Sequence, residues 1–193
     1  MSGIIIYAEH ASMSEFLKGF SVLLRENKIF DFEFAGGWGD FSTSTNIRKR
    51  VWDFANHKYE KVIASADADS MNPEDHKNKL INFWNDPPNT HYNIIPWELE
   101  TWFFSIPELA AQAIENSEFE NFLKKHSKYP LEFQRPKKCF EYEFGYKSAE
   151  HLPKLLHLLE QQKANNYPTY ESSLKALRSQ ESFVIFEENI HNC

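Results

Sequence analysis

Cysteine is almost absent from this 193-residue sequence. Cys139 and Cys193 are the only two, and they form neither a disulfide framework nor a metal-ligand spacing. That usage points to a reducing cytoplasm. No apolar run exceeds a few residues, which excludes a transmembrane helix. Ile4-Ile5-Ile6 lacks a basic leader and a full-length apolar region, so no signal peptide is expected. An excess of basic charge is missing as well. The chain has 21 Lys and Arg against 28 Asp and Glu, a net charge of −7, which argues against coating nucleic acid by bulk attraction and leaves room only for a local basic surface. The eight histidines show neither H-E-x-x-H nor a paired zinc spacing, and no Ser or Cys nucleophile motif occurs, so acyl transfer has no support. Repeats of solenoid period, low-complexity tracts and Gly-, Ser- or Pro-rich linkers are also lacking.

What is present is apolar and aromatic mass: 41% hydrophobic residues, with 17 Phe, 8 Tyr and 5 Trp. A chain of this length buries roughly 70% of its unfolded surface and needs no disulfide or structural metal. One domain over 1–193 is expected, with an α/β core over 1–104 and a mostly helical extension packed on it over 105–193. Ile4–Ala8 reads as a buried strand, followed by a capping box Ser12-x-x-Glu15 and a helix carrying Phe16, Leu17, Phe20, Leu23 and Leu24. Ile29–Phe34 alternates like a second strand and ends at Gly36-Gly37-Trp38-Gly39. One helix with Ile47, Val51, Phe54 and Ala55 on its inner face comes next. Lys61–Ala66 is apolar or small throughout, as a strand covered on both faces should be. Asn72-Pro73-Glu74-Asp75 starts a helix, and His91–Ile95 is a fourth strand. The β-α-β-α-β-α-β order predicts a mainly parallel four-stranded sheet with flanking helices. Beyond it, Ser105-x-x-Glu108 and Ser117-x-x-Glu120 are capping boxes, Leu152–Leu159 and Tyr170–Leu177 are helical, and Phe183–Phe186 reads as a late strand.

Chemistry is concentrated at Asp67 and Asp69, which follow the third strand. If strand geometry continues, residues two apart face one spot. Two carboxylates there repel each other, and a hard divalent cation relieves that; Mg²⁺ sites commonly use one or two carboxylates plus water. Glu9, after the first strand, opens onto the same carboxyl edge, where open parallel sheets bind ligands. Glu100 begins a helix after the fourth strand and could reach that edge, with Glu98 the second choice. The glycine loop matches no nucleotide-binding fingerprint and reads as a plain tight connection. Basic residues cluster at Arg48-Lys49-Arg50 and over Lys124, Lys125, Lys128, Arg135, Lys137 and Lys138, where they could follow a phosphate backbone.

A glutamate after strand one with Asp-x-Asp after strand three resembles the Toprim fold of topoisomerases, bacterial primases and overcoming-lysogenization-defect nucleases. Ile95-Pro96-Trp97-Glu98-Leu99-Glu100-Thr101-Trp102, Pro136-Lys137-Lys138 and Tyr167-Pro168-Thr169-Tyr170 are most similar to the Toprim-like domain-of-unknown-function family 4276. The resemblance spans Ile4 to about Leu177. It implies a metal-dependent phosphodiesterase acting on DNA or RNA. Glu9, Asp67 and Asp69 would hold Mg²⁺ or Mn²⁺, Glu100 would complete the site, and Lys124, Lys125, Arg135, Lys137 and Lys138 would meet nucleic acid. It also implies an ATPase partner and a role in defence against phage or mobile DNA. Two positions depart from the family pattern: His10 stands where glycine is usual, and Met13 where a second acid is expected, with Glu15 the nearest. Those departures favour the alternative of a non-catalytic interaction module with a decayed site. A glycosyltransferase holding a metal–nucleotide-sugar through Asp-x-Asp is a third reading, for which the remaining chain is short.

Overall fold

The computed structural model describes residues 3–128 and 130–191. Cys193 lies outside them. Packing divides the chain into two compact units: residues up to Ala68 with Asn72–Ile95 and those from Ile185 onward, and Asp69–Met71 with Pro96–Val184.

The first unit is the sheet. β1 (Ile4–Ala8), β2 (Phe30–Phe34), β3 (Lys61–Asp67) and β4 (Thr90–Ile95) alternate with α1 (Ala11–Leu24), α2 (Trp38–Thr43), α3 (Thr45–Asp53) and α4 (Glu74–Trp84). The strands lie in the order β2-β1-β3-β4, all parallel. Every residue of β1 and β3 is buried, as the all-apolar reading of these central strands requires. Side chains alternate across the sheet. Ile5, Tyr7, Val62, Ala64, Ala66 and Ile94 therefore share one face and pack on Phe41, Val51, Phe54, Leu80 and Trp84 of the helices that follow β2 and β3. Tyr7 anchors this layer, with its ring 5.6 Å from Phe41 and 6.4 Å from Trp84. The Trp84 indole donates to the Phe41 carbonyl at 3.1 Å, so its buried N–H is satisfied. Ile4, Ile6 and Ala8 point to the other face. Ser14 of α1 donates there to the carbonyls of Ile6 (3.2 Å) and Glu33 (2.8 Å), tying helix to sheet.

Where one helix carrying Ile47, Val51, Phe54 and Ala55 is expected after the glycine loop, there are two, α2 and α3, separated at Ser44, whose hydroxyl accepts from the Ile47 N–H. A π-turn over Phe54–Lys58 then leads into β3. Asn72 acts as expected, accepting from the Glu74 N–H at 3.1 Å, although the helix starts one residue later than read.

The second unit is helical: a 3₁₀ segment Leu99–Ser105, then α5 (Pro107–Ile114), α6 (Ser117–His126), α7 (Pro136–Phe144), α8 (Ser148–Asn165) and α9 (Tyr167–Leu177). Phe140 is the hub of its aromatic core, with Phe119 at 4.8 Å, Phe104 at 5.7 Å and Phe103 at 6.0 Å.

Phe183–Phe186 is not a strand. It belongs to α10 (Glu181–His191), in which Phe183, Phe186 and Ile190 are buried at spacings of three and four. A four-residue apolar run cannot by itself distinguish the two periods. From Ile185 the helix belongs to the sheet unit, where Arg25 donates to the Ile190 carbonyl (3.0 Å) and Lys61 to that of Asn189 (2.7 Å).

None of the three capping boxes forms as read. His10 caps α1, Asn116 caps α6, and α5 starts after Ile106 with Pro107 in its first turn and no side-chain cap. Among the described residues no helix is long and apolar enough to cross a membrane.

Candidate functional site

β1 and β3 run side by side, with Ala8 opposite Ser65, and the last rung of that ladder is the Glu9 N–H on the Ser65 carbonyl at 3.0 Å. There β1 turns away into α1. The Asp67 N–H, next in the ladder, is met instead by the Glu9 side chain, whose Oε2 accepts it at 3.3 Å. The Glu9 carboxylate is thereby carried across to the end of β3. β1 leads to β2 on one side and has β3 on the other, so this is the point where strand order reverses. Open α/β sheets bind ligands at the carboxyl side of such a point.

His10 completes the cluster. Its Nδ1 accepts the Met13 N–H at 3.3 Å, the capping bond of α1. A nitrogen that accepts carries no proton, so neutral His10 is protonated on Nε2. That atom lies 3.7 Å from Asp67 Oδ2. One imidazole therefore both starts the helix and faces the carboxylate. Asp67 itself is only 9% exposed.

Asp69 does not extend this arrangement by strand alternation. β3 ends at Asp67, and Asp69 adopts a left-handed φ of +51° with its N–H on the Trp97 carbonyl at 2.9 Å. The extended geometry that would aim Asp69 with Asp67 stops one residue too early. Asp69 is exposed and belongs to the second unit.

Glu100 lies within the second unit, 2% exposed, its Oε1 accepting from the Tyr146 hydroxyl (2.8 Å) and the Ser148 hydroxyl (3.1 Å). Glu98 Oε2 accepts the Lys137 N–H at 2.7 Å and so serves as a cap for α7. Trp97 Nε1 donates to the Leu131 carbonyl at 2.6 Å. Two of the segments that carry the family resemblance, 95–102 and 136–138, are thus joined by a structural hydrogen bond.

Among the basic candidates, Lys124 bridges Glu108 (2.6 Å) and Glu120 (2.7 Å), and these carboxylates push its pKa up to about 12. Lys125, Lys128, Arg135 and Lys138 are exposed, while Lys137 is half-buried. In the sheet unit Arg50 pairs with Glu33 at 2.8 Å and Arg48 stacks over Phe83. The glycine loop leads from β2 into the short helix α2. The Asp40 carboxylate stands 2.6 Å from where a Gly36 Cβ would be, an acid where a phosphate would have to approach.

Three residues escaped the sequence reading. His10 was noticed only as a departure from a family pattern. Ser65 and Asn93 pair in register on β3 and β4, are fully buried, and their side-chain oxygens and nitrogen have no hydrogen-bond partner among the described residues. Ser65 shares the face of Asp67, two residues before it. An asparagine leading into Ile94-Ile95 was the one visible signal. Among the described residues no group of three or more His, Cys, Asp or Glu is arranged to hold a metal ion. No family model, no curated protein and no solved structure matches the chain.

Proposed function

We propose that the sheet edge at Glu9 and Asp67 is the centre of a metal-dependent phosphodiesterase acting on nucleic acid. The observation that carries this reading is the Glu9 side chain reaching the end of β3 at the strand-order reversal, which gathers two carboxylates there. The donors fit the ion: carboxylate oxygens are the ligands Mg²⁺ and Mn²⁺ prefer, and one or two of them with water suffice for Mg²⁺. Glu9 and Asp67 would hold the ion, which supplies Lewis acidity toward a phosphate oxygen and a lowered pKa for bound water. The Glu9 carboxylate is oriented by the Asp67 N–H. The His10 Nε2–H, fixed in tautomer by the helix cap, faces Asp67 at 3.7 Å. Asp69 and Glu100 have no part in this reading. The resemblance is the sole support for an ATPase partner and a defence role.

His10 also supports the second reading, a module without catalysis. Its Nε2 stands 3.7 Å from Asp67 Oδ2, on the side from which a cation would approach that carboxylate. Thermal melts with and without Mn²⁺ separate the two. On the first reading Mn²⁺ raises the Tm of the wild type, because it binds the native state. Asp67→Asn and Glu9→Gln then lose that shift together with any cleavage of oligonucleotides. A wild-type shift retained in both variants, or none in the wild type, ends the catalytic assignment.

A further inference from the structure

A second feature opens at the same sheet edge, on the β2 side. A cavity of ≈ 290 Å³ lies between the ends of β1 and β2 and the start of α3, lined by Tyr7, Phe34, Ala35, Gly36, Asn46, Ile47 and Arg50. Its size is at the bottom of the range for small-molecule sites, ~300–1,000 Å³, and suits a single ring system. The walls are apolar, and Phe34 is 49% exposed, an unusual placing for a phenylalanine beside a cavity. Asn46 offers an amide donor and acceptor. Arg50 is paired with Glu33 at the surface, where such pairs are weak and exchange partners readily. Behind them lies the Tyr7 hydroxyl, fully buried and without a hydrogen-bond partner among the described residues. Arg48-Lys49-Arg50 gives α3 three consecutive cations in a chain of net charge −7.

We infer that this cavity takes one unpaired nucleobase of a single-stranded nucleic acid, with the ring against Phe34 and Ile47. The Asn46 amide reads the base edge, and Lys49 and Arg50 meet the flanking backbone. Aromatic stacking is the usual platform for single strands because every base has a π-face. The inference rests on nucleic acid being the ligand of the sheet edge, but it uses none of the carboxylates there.

The test is fluorescence anisotropy in EDTA with two probes, a ten-nucleotide oligothymidylate and an abasic strand of the same length. The wild type should bind the base-bearing strand about tenfold or more tightly than the abasic one. Phe34→Ala and Asn46→Ala should erase that preference, and Arg50→Glu should weaken both probes. Phe34 is half exposed, so its truncation leaves the core intact; unchanged circular dichroism checks this. Equal affinities for the two strands, no binding of either, or a preference that survives Phe34→Ala overturns the inference. Asp67→Asn separates the two proposals. If it retains the base preference while wild-type Mn²⁺ stabilisation proves independent of Asp67, the phosphodiesterase reading falls and the base site stands. If Mn²⁺ stabilisation depends on Asp67 but no base preference exists, only the base site falls.

Discussion

The two units treat buried polar groups in opposite ways. In the helical unit they are matched: Glu100 receives two hydroxyls, Ser182 accepts the Trp102 indole N–H at 2.9 Å, Gln180 donates to Ser105 at 2.9 Å, and His151 accepts the Lys147 N–H at 2.8 Å. In the sheet unit Tyr7, Ser65 and Asn93 are fully buried with unsatisfied side-chain atoms among the described residues. Each such group costs ~1–3 kcal/mol, a cost natural cores seldom carry without a reason. Tyr7 and Ser65 sit on β1 and β3, whose carboxyl ends form the candidate site, and Asn93 pairs in register with Ser65. A carboxylate in an aromatic core and a carboxylate at a sheet edge look alike in sequence, yet Glu100 is held by two hydroxyls of the helical unit while Glu9 and Asp67 meet at the ends of the central strands.

The largest effect should come from breaking the matched side. Glu100→Ala strands two buried hydroxyls and should cost about 2–3 kcal/mol in urea unfolding, while Glu100→Gln, which keeps an acceptor, should cost clearly less. An equal loss in both would mean that charge, not acceptance, is what Glu100 supplies. Glu98→Ala removes the acceptor for the Lys137 amide and should cost ~0.5–2 kcal/mol. Hydrogen exchange should quicken first at the start of α7; uniform quickening would refute the capping role. On the unmatched side the sign should reverse. Asn93→Leu, similar in shape and without polar atoms, should leave stability unchanged or raise it by about 1 kcal/mol, and a loss would reveal a partner for the amide.

The smallest effect concerns pH. Burial first, and Lys61 second, hold the His91 pKa below its ordinary 6.5, against a hydrogen bond with Asn189 that raises it. Below 6.5 the unfolded chain binds more protons at this position than the folded one. The stability His91 contributes is present above pH 6.5 and lost as the pH falls through the folded value. His91→Gln should flatten that part of the stability–pH curve, and an unchanged slope would assign it to another histidine.

Strand positions were readable because β1 and β3 are central and carry unbroken apolar runs, and the edge strands were misplaced by no more than a residue. Glu9 and Asp67 were readable as strand-end acids. The caps were not: His10 and Asn116 sit one residue before the serine-led boxes or two, and a side chain's reach to an amide three residues on leaves no unique pattern. α10 was misread because its apolar residues fall consecutively, and only tertiary burial selects the helical subset. Asp69 leaves the strand alternation at a single backbone angle, a left-handed φ that no spacing of residues announces.

The sheet unit is assembled from three stretches of chain, the last of them beginning at Ile185. This has a consequence for biosynthesis. On the ribosome, all four strands emerge before α10 exists, and roughly 90 residues of the helical unit intervene. At typical translation speeds that is a wait of about 5–20 s. Throughout it Arg25 and Lys61 lack the carbonyls of Ile190 and Asn189, so the sheet unit closes only when the last helix arrives.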